Sequence, residues 1–453
     1  MKQNKGLKIA IIILSVLCAL FLAYFIVMLC IHLRDSYNPI SKEEFYESVG
    51  DGLKIPVVEI NTPGSDPVDK EIYKTCSFQL SNAQDESHNI KVTIKPNNWD
   101  VGGVGIRVRG NYSAKAPKKA YRVRFNEPTS LLGLDASKSW VLLADYYDQS
   151  SIRNYTALSL AKEFDNLDFT PTPNHVALIM NGEFKGLYLM CQQVSAGSGS
   201  CNIQEDIFAL EKNYPFLVCV DASSKRGQKK GRDYFDIEGW YPVEIKYPDS
   251  HERPSEGDPV FHYIQEYMTA VITSLKTGQA QKVSFSDTPL GFEDLVDVDS
   301  LVDYYLVNEI MYNCDSAYKS IYAHKTPEGK LKFGPVWDFD WSMSQEFELP
   351  YVRSEIETAS QIHIKDRSPL FRSFLKYEKY QKMVSTRFHE KKQAIVDLCE
   401  HLRLYREIID PVAKLDALQV YGENALFEYG MQYDYVRLYL LDRYAFLEKY
   451  YKT

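Results

Sequence analysis

The chain contains no CxxC pair, no Walker A sequence, no GxGxxG and no long block of like charge. Each absence removes a class of function. Without closely spaced cysteines, a structural zinc site is not expected. Without a dominant lysine- or arginine-rich run, and with a net charge of −9 and a pI near 5.6, nucleic acid is not an expected partner. No internal repeat or low-complexity tract is present. Cysteine is scarce: of eight, six lie beyond residue 35 (Cys76, Cys191, Cys201, Cys219, Cys314 and Cys399) at irregular spacing. An exterior location would permit disulfides, yet the spacing nominates no pair beyond the closeness of Cys191 and Cys201. Cys314 stands beside Asp315 but has no positioned His, so a small buried apolar role is expected.

What is present is ordinary for a globular protein, with one exception. The 453 residues are 45% apolar and 25% charged, enough for one large core or two smaller ones. Tyrosine is abundant, at 33, which fits an extracellular or carbohydrate-contacting protein and many ordinary folds alike. The exception is residues 9–33, IAIIILSVLCALFLAYFIVMLCIHL, a run without Asp, Glu, Lys or Arg. About 20 apolar residues cross a bilayer as a helix. Lys2, Lys5 and Lys8 precede the run and favour an inside N-terminus. The run exceeds a signal-peptide core, and no small-x-small cleavage pattern follows it closely. The sequence thus predicts a cytoplasmic 1–8, a transmembrane anchor at 9–33 and a stalk at 34–52. It predicts a single-pass membrane protein with everything beyond the anchor on the outer side.

Beyond the stalk the pattern divides into a strand-rich 53–258 and a helical 259–453. Residues 55–60, 90–94, 105–109, 120–125, 141–144, 216–221 and 243–246 are short β-prone runs bounded mainly by Gly, Pro, Asn or Asp. Val176–Met180 and Gly186–Cys191 flank Asn181-Gly182, which suits a type I′ hairpin. Residues 150–164 and 261–275 read as amphipathic helices. Leu301, Val302, Tyr305, Leu306 and Ile310 mark another, with Ser300 or Asp299 as its cap. Pro411 and Gly422 are expected to divide the tail into three helices. Residues 223–231, SSKRGQKKG, read as a solvated basic loop or a contact for an acidic partner.

The stretch 307–342, VNEIMYNCDSAYKSIYAHKTPEGKLKFGPVWDFDWS, is the most informative. Ser320–Lys325 and Leu331–Trp337 are expected strands around a turn at Thr326-Pro327-Glu328-Gly329. Pairing centred near residue 328 places Asp338 opposite about residue 318. With strands about 4.8 Å apart, Asp315 and Asp338 emerge on one side within roughly 10 Å. Two carboxylates so placed suit one polar site, one accepting a proton and the other holding a metal. A glycosidase pairing Asp315 with Asp338 or Asp340 is an alternative that needs a defined carboxylate separation. A buried turn with one capping aspartate is another.

Two further motifs stand upstream. Arg107-Val108-Arg109-Gly110-Asn111 precedes Pro117-Lys118-Lys119, and basic residues on adjacent strands can neutralise phosphates. Gly102, Gly103 and Gly105 offer backbone that can approach a ligand closely, although an exposed basic hairpin explains the same residues. Residues 148–154, DQSSIRN, open a helix as an anion site or as a plain cap. The ordered set RGNYS…PKKAYRV, SLLG…WVLLADYYDQSSIRN, GLYLMCQQ, EIKYPD, YYLVNEIMYNCD and GPVWDFD resembles the spore-coat protein H (CotH) kinase family, over about residues 53–400.

The resemblance implies an α+β, divergent protein-kinase-like two-lobed fold, with a strand-rich N-lobe and a helical C-lobe. It implies ATP with Mg²⁺ (or Mn²⁺ or Ca²⁺), and transfer of the γ-phosphate to Ser or Thr of an envelope or spore-coat protein. By position, Asp315 resembles the catalytic aspartate, and Asp338 the metal-binding one, with Asp340 beside it. Lys119 or Lys118 resembles the phosphate-contacting lysine; Arg109, Asn111 and Arg153 are further candidates for phosphate contact or positioning. Two departures stand out. Gln192 replaces a frequent Glu, keeping hydrogen bonding but losing charge. Lys319-Ser320 stands near where members carry a metal-ligating Asn, and Lys319 could instead touch a phosphate. These departures motivate the alternative of a membrane-anchored pseudokinase, a nucleotide-binding scaffold for a surface assembly.

Overall fold

The computed structural model describes residues 39–81, 85–93, 103–203, 210, 213–222, 229–248, 255, 257–343, 345–348, 351–354, 356–422 and 425–451. Seven strands of the first half close into a barrel: β1 (Val57–Asn61), β2 (Lys74–Ser81), β3 (Val104–Val108), β4 (Tyr121–Thr129), β5 (Ser137–Leu143), β6 (Asn174–Met180) and β7 (Glu183–Gln192). Neighbours pair antiparallel from β1 to β5, then β5 to β7 and β7 to β6. A parallel pairing of β6 with β1, Ala177 beside Val57, closes the ring. Closure leaves the barrel strands no free edge. The pleat turns alternate residues inward: Ile60, Phe78, Ile106, Val123, Trp140, Leu178 and Tyr188 fill the lumen. The outer side of β5, β6 and β7 is apolar as well. Val141, Leu143, Ile179, Leu187 and Leu189 join a second core shared with the helices.

The β6–β7 turn has the expected form, with Asn181 at φ 53° and Gly182 at φ 80°, the paired positive angles of a type I′ turn. Strand β2 is not among the expected runs. Its Lys, Ser and Gln are weak β-formers, and pairing on both sides supplies what propensity does not. Residues 42–49, expected within a stalk, form helix α1 (Lys42–Val49), started by a capping box between Ser41 and Glu44. Its Phe45 is buried and stacks on Phe184 of the barrel at 4.7 Å.

A second sheet, of five strands, joins β8 (Phe216–Val220), β9 (Tyr234–Phe235) and β10 (Val243–Tyr247) to the later hairpin β11 (Ile321–Lys325) and β12 (Lys332–Phe333). Helix α2 (Arg153–Ala161) follows the DQSS loop. Helix α3 (Pro259–Thr277) begins with Pro259 behind the Asp258 cap and ends at Gly278 in the left-handed conformation. Helix α4 (Val298–Ile310) is capped by Asp297, ahead of the expected Asp299 or Ser300. Helix α5 (Glu378–Tyr421) runs 44 residues through Pro411, so the tail is divided at Gly422 and not at the proline. Helix α6 (Ala425–Tyr450) returns along it.

This architecture corrects the expected kinase-like two-lobed fold. A closed seven-stranded barrel stands where an N-lobe sheet was expected. Helix α5 touches both β7 of the barrel and α4, and the second sheet draws strands from both sides of residue 258. Among the described residues no helix is long and apolar enough to cross a membrane. That finding runs against a transmembrane helix and a single-pass placement; the expected anchor at 9–33 itself lies outside the described residues. None of the six cysteines beyond residue 35 is in a disulfide, and five are buried.

Candidate active site

The hairpin register matches the sequence reading: Ala323 faces Phe333 and His324 faces Lys332, both pairs centred on residue 328. The ladder stops early because Pro335, after Gly334, has no N–H to donate. The chain then bends. Trp337 and Phe339 are buried, while Asp338 adopts φ 71° and turns outward between them. An aspartate tolerates that left-handed geometry better than most residues.

Three amides and a hydroxyl fix the loop. Ser320 Oγ donates to Asp338 Oδ2 at 2.8 Å. Asn313 Nδ2 donates to the Asp338 carbonyl at 3.2 Å, and Asn313 Oδ1 accepts from the Asp315 N–H at 3.1 Å. Asn313 therefore ties the two aspartate loops together. Asn308, on α4, accepts from the same Asn313 amide. From the other side, Asn154 Oδ1 accepts from the Phe339 N–H at 2.9 Å, and its amide donates to Asp145 at 2.7 Å.

The carboxylates converge on a cavity of about 50 Å³, lined by Arg109, Lys118, Asp145, Tyr147, Asp338 and Asp340 among others. Burial pushes Asp145 up to about 7, with Asp148 adding to it. Asp340 is pushed well above the usual carboxylate range by burial and then by Asp338, Asp145 and Asp315. Asp315 lies outside the cavity lining but beside it. Burial and then Asp338 raise it to about 6, although Lys319 Nζ sits 2.7 Å from its Oδ2. Burial alone would lower Lys319, and Asp315 raises it overall. A folded pKa above the unfolded one means stability that is present at low pH and lost as pH rises. Asp315→Asn should therefore stabilise the fold on the order of 2–3 kcal/mol above pH ~7 and leave it unchanged below pH ~4. Denaturant titrations at the two pH values check this.

The cation opposite these acids is Lys118. It is buried, with Nζ 2.6 Å from the Leu187 carbonyl and 2.7 Å from Asp416 Oδ2 of α5. Gly186 makes room for the pair: at φ 123°, a Cβ there would lie 2.1 Å from Asp416 Oδ1. Lys119 turns away to the Ala114 carbonyl at 3.0 Å. Arg109 reaches the cavity with its guanidinium 5.3 Å from the Trp337 ring centre.

The structure thus gathers Asp338, Asp340, Lys118 and Arg109 around one space, with Asp315 and Lys319 adjoining. It does not bring Asn111 or Gln192 there. Asn111 is exposed. Gln192 accepts from the Thr172 N–H at 3.0 Å, three residues along β7 from Leu189, which faces Leu143 of the cavity wall. Arg153 is fully buried and positions the loops. It pairs with Asp148 and donates to the Ser342 carbonyl and to Gln432 of α6. Asp145, Asn154 and Asp416 escaped the sequence reading as site residues. The first two lie within the quoted DYYDQSSIRN block, and Asp416 has no local signal at all.

Among the described residues no group of three His, Cys, Asp or Glu side chains is assembled to hold a metal ion. Mg²⁺ nevertheless needs only one or two carboxylates when phosphates and waters complete its shell. Asp338 and Asp340, crowded by like charge and facing the cavity, fit that partial role. No curated protein matches the chain. Residues 106–447 match the family described as CotH kinase protein, which takes in the barrel from β3 onward and both aspartate loops, and the chain belongs to that family.

Proposed function

We propose that this protein is an atypical kinase that transfers the γ-phosphate of ATP, with a divalent cation, to Ser or Thr of an envelope or spore-coat protein. One observation carries the reading: Asp338, Asp340 and Lys118 face a single cavity, and Asn313 holds the Asp315 loop against it. In this proposal Asp338 and Asp340 hold Mg²⁺ (Mn²⁺ or Ca²⁺ in its place). The cation would offset phosphate charge. Lys118 and Arg109 bind phosphate oxygens, and Asp315 orients the acceptor hydroxyl and takes its proton. A base near the working pH suits that task, and burial already holds Asp315 at about 6. Transfer should accordingly rise with pH through ~6 as Asp315 ionises. The test is phosphate incorporation from labelled ATP into a Ser/Thr protein substrate, with each divalent ion, across that range. No incorporation with any ion would overturn the reading.

A nucleotide-binding scaffold without transfer is the second reading. It is favoured by Lys319, whose ammonium occupies Asp315 Oδ2 at 2.7 Å. Stabilisation by ATP and metal in a thermal-shift assay, without incorporation, would select it.

A further inference from the structure

The barrel wall has two unlike outer halves. Along β5, β6 and β7 it is apolar and covered by helices. Along β2, β3 and β4 the outward positions are polar and basic. Arg107 and Arg122 face each other directly across the β3–β4 ladder, a placement in which like charges repel. Each has a buried Nε with no hydrogen-bond partner. The guanidinium of Arg107 lies 4.8 Å from the Tyr73 ring centre. Arg122 Nη2 donates to Ser139 Oγ at 3.1 Å. Burial lowers the Arg122 pKa; Tyr73 raises it in part, and Arg107, Arg124 and Arg109 lower it further. Both side chains are partly exposed, and two guanidinium groups side by side concentrate positive charge in a form suited to an oxyanion. Arg109 continues the same face two residues on, a rise of about 6.8 Å, and there it lines the cavity.

We propose that Arg107 and Arg122 bind a phosphoseryl or phosphothreonyl group on the acceptor polypeptide, a few residues from the hydroxyl being modified. This rests on the kinase reading, since the bound group is that reaction's own product, and it implies that one phosphorylation primes the next. A phosphate monoester fits better than a carboxylate. Its charge of about −1.5 to −2 offsets two guanidinium groups, and its three oxygens engage two forks at once.

The test is fluorescence-anisotropy binding of three peptides to the full chain carrying Asp315→Asn. The peptides hold phosphoserine, aspartate or asparagine near an acceptor serine. Binding without transfer keeps a failure here separate from a failure of the kinase assignment. Phosphoserine should bind about tenfold tighter than asparagine, and Arg107→Gln/Arg122→Gln should abolish the difference. That variant removes a repulsion, so it should melt no lower than its parent, and inorganic phosphate should raise the melting temperature of the parent more than that of the variant. Equal binding of the three peptides, aspartate binding as tightly as phosphoserine, or a preference surviving in the double variant would each overturn the proposal.

Discussion

Asp338→Ala should abolish thermal stabilisation by ATP with Mg²⁺, whereas Asp315→Ala should keep that stabilisation and lose transfer by roughly 10²–10⁴-fold, the usual range for a general base. The difference follows from where the two groups sit. Asp338 faces the cavity beside Asp340 and opposite Lys118. Asp315 stands outside the lining, joined to the Asp338 loop through Asn313. Calorimetry with ATP and Mg²⁺, set against labelled phosphate transfer, reads the two effects separately. Loss of binding in both variants, or transfer retained by either, would sink the division of roles.

Asp416→Ala should cost about 3–5 kcal/mol of stability, because it leaves the Lys118 ammonium buried without its partner. Lys118 and Asp416 are both buried, and their charged atoms are 2.7 Å apart. The ammonium retains the Leu187 carbonyl and the face of the Tyr188 ring, 4.8 Å away, in the variant, but no carboxylate. A Lys118→Met/Asp416→Leu double variant should recover most of the stability, since replacing a buried pair by apolar side chains is often neutral. It should remain unable to bind ATP with Mg²⁺, which separates the fold's need for neutrality from the site's need for a cation. Guanidinium denaturation midpoints and thermal shifts with ATP measure both. A double variant as unstable as the single one would place the cost elsewhere than in the unpaired charge.

Local rules carried the sequence reading a long way. The hairpin centre at residue 328 followed from the turn residues and emerged in the observed register. Asn181-Gly182 announced a type I′ turn because few other pairs accept two positive φ angles. The adjacency of the Asp315 and Asp338 loops followed from the same chain reversal. Pro411 misled because the rule against proline within helices describes an average cost, and packing of α5 against β7 and α4 outweighs it here.

By itself, then, the sequence determined the strands and turns that depend on neighbours a few residues apart. It also determined the family, through blocks kept in order. Only the tertiary structure decided that the barrel closes, since Val57 beside Ala177 is a pairing across the whole of it. It alone decided which lysine lines the cavity: Lys118 and Lys119 are adjacent in the segment before β4, yet one reaches the Leu187 carbonyl and Asp416 and the other the Ala114 carbonyl. It alone gave Lys118 a carboxylate from a helix 298 residues away. The physical reason is common to all three. Hydrogen bonding along a strand or turn is written in local residue order, whereas burial and charge pairing depend on which surfaces meet once the chain has collapsed.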